Sequence, residues 1–132
     1  MKYIITEQQY NNIFKNTNSK LLSIGTIPNK GLSLISNKHI KKGEEIATIL
    51  SNTPNEIGRK ISGNNDLWET KIGRYINHSN SPNTRASFKN DKVIITAIKD
   101  IREGDEVTVN YGSLEDMLGV DKGTWLMDWF ID

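Results

Sequence analysis

The chain has 132 residues, enough for one domain with a single modest core, and its hydrophobic content of 36% is typical of a globular protein. It contains no cysteine, which excludes disulfide bonds and thiolate metal sites and favours a cytoplasmic or other intracellular location. The net charge of +1 argues against a general nucleic-acid-binding protein, and no apolar run is long enough to span a membrane. We therefore expect an intracellular domain that binds neither nucleic acid nor membrane.

The first predicted element is a short helix over about residues 7–16. The segment 6–9 (Thr-Glu-Gln-Gln) has the form of a capping box, which marks a helix start. Tyr10 and Phe14 follow at helical spacing, so the helix would have an apolar docking face. Residues 1–20 are accordingly predicted to form an N-terminal helical segment.

Short strands are predicted along most of the remaining chain, because runs of apolar and β-branched residues alternate with turn residues. Asn90-Asp91 predicts a tight hairpin turn, since both residue types tolerate a left-handed backbone. The polar stretch 51–66 predicts a long connection, and the apolar spacing in 67–76 predicts a turn or two of helix. The predicted strands cover residues 21–27, 32–36, 45–50, 84–89, 92–98 and 106–109.

Two segments share one pattern. Residues 40–46 and 101–107 each read isoleucine, two polar residues, glycine, two acids and a β-branched residue. The pattern predicts a turn that needs glycine for a positive φ, followed by a strand. Two copies of one unit in a mainly β domain indicate a pseudo-symmetric arrangement of small sheets, although two unrelated surface turns would read the same way.

Residues 73–83, Gly-Arg-Tyr-Ile-Asn-His-Ser-Asn-Ser-Pro-Asn, form the most unusual stretch of the chain. Their density of Asn, Ser and Pro excludes an ordinary helix or central strand. His78, one of only two histidines, lies between two short hydrogen-bonding side chains. A fixed loop is therefore predicted here.

This stretch resembles the core motif of the SET-domain protein methyltransferases, roughly Arg-aromatic-x-Asn-His-Ser-x-x-Pro-Asn. Residues 103–112, which end in Asn-Tyr-Gly, resemble the second motif of that family, and residues 30–32 with 40–44 resemble its opening segment. The three occur in family order and spacing over about residues 29–112. Because the chain has no cysteine-rich zinc segments, it resembles the minimal, stand-alone members of the family from viruses and bacteria. If the protein is viral, it would act inside the host cell.

The resemblance implies a mainly β fold of the β-clip type, with small curved sheets and a pseudoknot-type crossing. In that crossing the segment ending at Tyr111 passes beneath the loop that holds Asn77 and His78. Residues 21–112 would be the SET core, and residues 113–132 a short helical and aromatic tail that closes the site. Trp125 in this tail would contact adenine; the alternative is an amphipathic helix whose aromatic residues pack in the core.

The resemblance also implies a function, the transfer of a methyl group from S-adenosyl-L-methionine to a lysine of a protein or peptide substrate, histone-like among others. Tyr111 would be the central catalytic group, orienting the amine, unless it only packs at the end of the last strand. Asn77 and His78 would hold the cofactor, unless they only tie the loop together. No metal site is expected, since no second His or Cys lies at ligand spacing to His78, and the protein would act as a monomer or homodimer.

The cofactor strip of the family corresponds here to Asn29, Lys30, Gly31 and Leu32, whose backbone groups would approach the methionine part of the cofactor. Asn29 replaces the first family glycine, and asparagine tolerates the left-handed region better than most residues. Tyr75 would be the second catalytic residue: together with Tyr111 it would contact the cofactor and line the lysine channel, or it would only pack behind the loop. Two other functions stay open: a non-catalytic binding module with the same fold, which Asn29 favours, and an unrelated carbohydrate- or ice-binding β domain.

Overall fold

The computed structural model describes residues 21–54, 60–63, 66–121 and 123. The predicted helix over 7–16 and half of the predicted tail, including Trp125, lie outside these residues. The described elements are β1 (Leu22–Ile27), β2 (Gly31–Ser36), β3 (Glu45–Ser51), β4 (Lys60–Ser62), β5 (Asp66–Glu69), a 3₁₀ helix (Gly73–Tyr75), β6 (Asn77–His78), β7 (Thr84–Lys89), β8 (Lys92–Ala97), β9 (Thr108–Val109) and α1 (Tyr111–Leu118).

The strands form three small sheets, which confirms the mainly β prediction. β1 and β2 form a hairpin, five strands pair in the order β4-β5-β3-β8-β7, and β6 pairs with β9. The core lies between these sheets and α1. Its fully buried side chains include Leu34, Ile40, Ile49, Leu50, Ile76, Ile95, Ile101 and Leu114. Among the described residues, no helix has the length and apolar character needed to cross a membrane.

The prediction for residues 51–76 was partly wrong. The stretch 51–66 was predicted as a long connection, but it contains β4 and the start of β5, which pair antiparallel. In the stretch 67–76 a turn or two of helix was predicted; the structure has one 3₁₀ turn there, preceded by most of β5. Ile61 and Leu67 lie opposite each other and are both buried. A three-residue strand with one apolar residue carries too little periodicity to be recognised, and its pairing partner defines it.

The β1–β2 turn explains why asparagine occupies position 29. The backbone N–H of Lys30 donates to the carbonyl of Ile27 at 3.0 Å, which closes a four-residue turn with Pro28 at its second position. Asn29, at the third position, has φ 67°. These are the requirements of a type II turn, in which proline sets the second residue and the third takes a positive φ. Asn29 therefore adopts the left-handed conformation expected of it.

The two segments that share a pattern are related by pseudo-symmetry, as predicted. Ile40 and Ile101 pair through two backbone hydrogen bonds of 2.8 Å each, N–H to carbonyl in both directions. Gly43 and Gly104 hold equivalent turns, with φ of 94° and 89°. The N–H of Gly43 donates to the carbonyl of Ala97, and that of Gly104 donates to Ser36, at 2.8 Å in each case. The two turns thus close the core from opposite sides.

The pseudoknot-type crossing is also confirmed. The segment 106–109 lies with β2 on one side, where the N–H of Val107 donates to the carbonyl of Leu34 at 2.9 Å. On its other side β9 pairs in parallel with β6, so that Thr108 lies opposite Asn77. Because both sides of this segment are covered, Val107, Thr108 and Val109 are all buried. The crossing delivers the chain directly to Tyr111.

Candidate functional site

Tyr111 lies at the centre of the candidate site and is held at both ends by residues of the 73–83 motif. Its hydroxyl donates to the carbonyl oxygen of Ile76 at 2.6 Å, and its backbone N–H donates to Nδ1 of His78 at 3.0 Å. Its side chain is 4% exposed. The two motifs recognised in the sequence therefore meet at one tyrosine.

The start of α1 fixes the backbone of Tyr111, its first residue. Asn110 is the N-cap, and its Oδ1 accepts a hydrogen bond from the N–H of Ser113 at 2.9 Å. The first N–H groups of a helix have no partner within the helix, so capping side chains stabilise its start. Asn110 thus has a direct structural role at the start of this helix.

His78 has a defined hydrogen-bonding partner at each ring nitrogen. Nδ1 accepts from the N–H of Tyr111, and Nε2 lies 2.9 Å from Oδ1 of Asn80. The imidazole also packs against the ring of Tyr111, with centroids 5.2 Å apart and planes at 53°. These contacts connect the loop to α1, which is consistent with the structural alternative for His78. Contact between His78 and a cofactor stays a prediction.

Asn77 connects the same loop to the predicted cofactor strip. Its Nδ2 donates to the carbonyl of Leu32 at 3.3 Å, to Oγ of Ser33 at 2.6 Å and to Oε2 of Glu106 at 2.8 Å. These bonds join β6, β2 and the crossing segment. They account for the burial of Asn77 without a ligand, and its role in holding a cofactor stays a prediction.

Glu106 is the site residue that sequence reasoning missed. Its Oε1 accepts from Nζ of Lys30 at 2.8 Å, while its Oε2 accepts from Asn77. Burial alone would raise the pKa of Glu106, but hydrogen bonds from Lys30, Asn77 and Ser33, with the charge of Lys30, hold this pKa below its ordinary value. The available signal was the period-two alternation of the strand, which places Glu106 on the face opposite Val107.

Asn83, at the end of the motif, clamps the crossing segment. Its Nδ2 donates to the carbonyl of Glu106 at 2.7 Å, and its Oδ1 accepts from the N–H of Thr108 at 2.9 Å. Thr84 adds a bond from its hydroxyl to the carbonyl of Thr108 at 2.6 Å. The polar residues of the motif thereby satisfy backbone groups that strand pairing leaves open.

The 3₁₀ turn that begins the motif is fixed by a close backbone contact. A Cβ on Gly73 would collide with the carbonyl oxygen of Ile49, so only glycine fits at this position. The hydroxyl of Thr70 donates to the carbonyl of Thr48 at 2.7 Å and accepts from the N–H of Gly73 at 3.0 Å. Tyr75, which ends the turn, is 2% exposed and belongs to the core, as the packing alternative proposed. A place for it in a lysine channel stays a prediction.

The structure thus connects several of the predicted site residues by hydrogen bonds. Leu32 of the strip bonds to Asn77 directly, and Lys30 is connected to Asn77 through Glu106. His78 bonds to Tyr111. A separate cleft of about 370 Å³ contains none of the predicted site residues and is lined by Asn52, Asp66, Leu67, Phe88, Asn90 and Asp91. In the described part of the chain, no group of three or more His, Cys, Asp or Glu side chains is placed to hold a metal ion.

Comparison with known proteins agrees with this geometry. The sequence profile of the SET domain matches residues 50–112. The structure is similar to that of a candidate histone methyltransferase from Plasmodium falciparum, with 30% identity and a TM-score of 0.55, over 69% of this chain and 92% of that one. The chain belongs to the SET-domain family. No curated protein matches it significantly.

Two further structures share the SET fold at 23% identity. One is KRYPTONITE in complex with mCHH DNA, an H3(1-15) peptide and SAH, with a TM-score of 0.51 over 69% of this chain and 23% of that one. The other is ctPRC2 in an autoinhibited conformation bound to S-adenosylmethionine, with a TM-score of 0.52 over 70% and 15%. At this identity the likeness shows the fold alone, and this SET domain spans less than a quarter of either chain.

Proposed function

We propose that the protein is an S-adenosylmethionine-dependent protein-lysine N-methyltransferase. The observation that carries the proposal is the convergence of both family motifs on Tyr111, whose hydroxyl and backbone are fixed by Ile76 and His78. Tyr111 also packs in the core, as the alternative role requires, and the variant below separates the two roles. Membership of the SET-domain family and the similarity to a candidate histone methyltransferase support the same reading.

The residues of the strip and the loop suit S-adenosylmethionine chemically. The cofactor carries a sulfonium and an ammonium, so a cationic Lys30 in the strip would oppose its binding. Here Glu106 pairs with Lys30 at 2.8 Å and neutralises this charge. Asn77 directs both amide hydrogens into the protein, which leaves its Oδ1 as the atom suited to accept from the ammonium. The backbone groups of 29–32 would hold the rest of the methionine part.

When bound, the cofactor supplies an electrophilic methyl group on sulfur. The protein must then present a neutral amine, exclude water and fix the line of approach. Lysine in water has a pKa of about 10.4, and burial beside a positive charge favours its neutral form, with the proton released to solvent. Because the hydroxyl proton of Tyr111 is donated to Ile76, its oxygen acts as an acceptor toward the incoming amine and orients it. Buried Val109 and Leu114 flank Tyr111 in sequence and help to exclude water.

The test is cofactor binding followed by turnover. Isothermal titration with S-adenosylmethionine should show one saturable site, and mass spectrometry should show added methyl groups on a lysine peptide. Tyr111→Phe keeps the ring and removes only the hydroxyl, so it should lower turnover about a hundredfold while cofactor binding changes little. Asn52→Ala, in an exposed loop outside the site, is the matched control.

The outcomes separate the two functions that share this fold. Binding without turnover on any substrate would favour the non-catalytic binding module. Equal turnover of Tyr111→Phe and wild type would remove Tyr111 from the chemistry, and the absence of binding at millimolar cofactor would overturn the enzyme assignment. Because KRYPTONITE was crystallised with an H3 peptide, we propose histone-tail peptides as the first substrates to screen.

A further inference from the structure

Asn80 is an exposed residue of the loop and lies beside the imidazole of His78. An N–H group can only donate, so Nδ1 of His78, which receives the N–H of Tyr111 at 3.0 Å, must be unprotonated. The neutral ring therefore carries its hydrogen on Nε2, and this nitrogen donates to Oδ1 of Asn80 at 2.9 Å. We propose that Asn80 is a positioning residue that anchors the ring of His78 and, through it, Tyr111.

The need for such an anchor follows from how Tyr111 is held. The imidazole contacts Tyr111 twice, through the backbone N–H and through the phenol ring with centroids 5.2 Å apart. Rotation of the ring about its Cβ–Cγ bond would move Nδ1 away from this N–H and change the surface on which the phenol rests. The bond from Nε2 to Asn80 is the contact that opposes this rotation at the far edge of the ring.

The geometry distinguishes positioning from general stabilisation. The Asn80–His78 bond is exposed, so water can replace it and its net contribution to folding stability is small. Transfer chemistry is far more sensitive, because a displacement of about 1 Å can reduce the rate about a hundredfold. Loss of Asn80 should therefore leave the fold intact while loosening the group that orients the amine. This kinetic consequence rests on the proposed methyltransferase function, whereas the state of the ring does not.

The test uses Asn80→Ala, with Asn80→Asp as the conservative variant because a carboxylate oxygen can still accept from Nε2. Side-chain ¹⁵N NMR reports the state of His78, and His39→Gln assigns the signals because the chain has only two histidines. Wild type should show a single tautomer with hydrogen on Nε2. In Asn80→Ala the two nitrogen shifts should move toward each other and amide exchange at Tyr111 should accelerate, while Asn80→Asp should resemble wild type. Unchanged shifts and exchange in Asn80→Ala would overturn the proposal, whether or not the protein is an enzyme.

Kinetics give the second readout once turnover is measured. Asn80→Ala should lower kcat about tenfold, with the KM for cofactor within about twofold of wild type, and Asn80→Asp should restore most of the loss. Asn52→Ala, an exposed asparagine away from His78, should match wild type in both parameters. A loss of kcat in Asn80→Ala matched by a large fall in unfolding temperature would indicate a merely structural role and would refute the positioning role.

Discussion

Replacing Asn83 by alanine should destabilise the crossing of the chain more than replacing any exposed asparagine by alanine. The side chain of Asn83 serves two backbone groups of the crossing segment, the carbonyl of Glu106 at 2.7 Å and the N–H of Thr108 at 2.9 Å. A buried backbone group left without its partner costs about 1–3 kcal/mol. Thr108 is buried, whereas Asn83 itself is only half-buried, so water can replace part of the loss. We expect a fall of about 3 kcal/mol in the free energy of unfolding.

This change is large beside the total stability of about 5–15 kcal/mol that single domains have. Urea unfolding followed by tryptophan fluorescence would measure it, and thermal unfolding should shift by about 10 °C. Asn83→Asp keeps an acceptor for the N–H of Thr108 but loses the donor to Glu106, so it separates the two bonds. Asn52→Ala is the exposed control. A loss below about 0.5 kcal/mol in Asn83→Ala would show that the side chain does not hold the crossing.

Two further predictions follow from the structure. Gly73→Ala should lower the free energy of unfolding, measured with urea, by about 3 kcal/mol or more, because the new methyl group would meet the fixed carbonyl of Ile49. Gly25→Ala should lower it less, because there the methyl group would meet only the flexible side chain of Ile35. Equal losses would contradict this reasoning. Although burial raises the pKa of Glu106, its hydrogen bonds and Lys30 hold it below the ordinary 4.5. The stability it contributes is therefore present above pH 4.5 and is lost as the pH falls through the lower value of the folded state. In Glu106→Gln the free energy of unfolding should depend less on pH below pH 4.5 than in wild type. An equal pH dependence in the two proteins would count against the Glu106–Lys30 ion pair.

Strands with clear apolar runs were readable from the sequence. β1, β2, β3, β7 and β8 match their predictions within one residue, because each has enough apolar or β-branched residues to show its pattern. β4, β5 and the two-residue β6, which lies in the predicted loop, were missed, since a strand of two to four residues is defined by its partner rather than by its own sequence. The positive φ of Asn29 was foreseeable from the chemistry of asparagine, but the type II turn that requires it needed the Ile27–Lys30 bond.

The contacts within the site could not be read in the same way. Asn77, His78 and Tyr111 were identified through motifs, which mark residues but not their partners. Glu106 pairs with Lys30, which lies 76 residues away in sequence. Such a pair depends on the crossing, which brings the β1–β2 turn, the loop and the last strand together. Hydrophobic periodicity and secondary-structure propensity describe residues that are neighbours in sequence. They carry no information on which distant segments come together in the fold.

The site and the crossing are one structural unit, which has a consequence for how this protein becomes active. Asn77 and His78 pair in parallel with Thr108 and Val109, immediately before Tyr111. The same short strand pair therefore carries both the crossing and the residues that contact the strip and Tyr111, since Asn77 bonds to Leu32 and His78 bonds to Tyr111. Contacts this distant in sequence form late in folding, because the chain must first lose the entropy of closing long loops. The site should thus be absent from any partly folded state that lacks the crossing, so that activity and complete folding appear together.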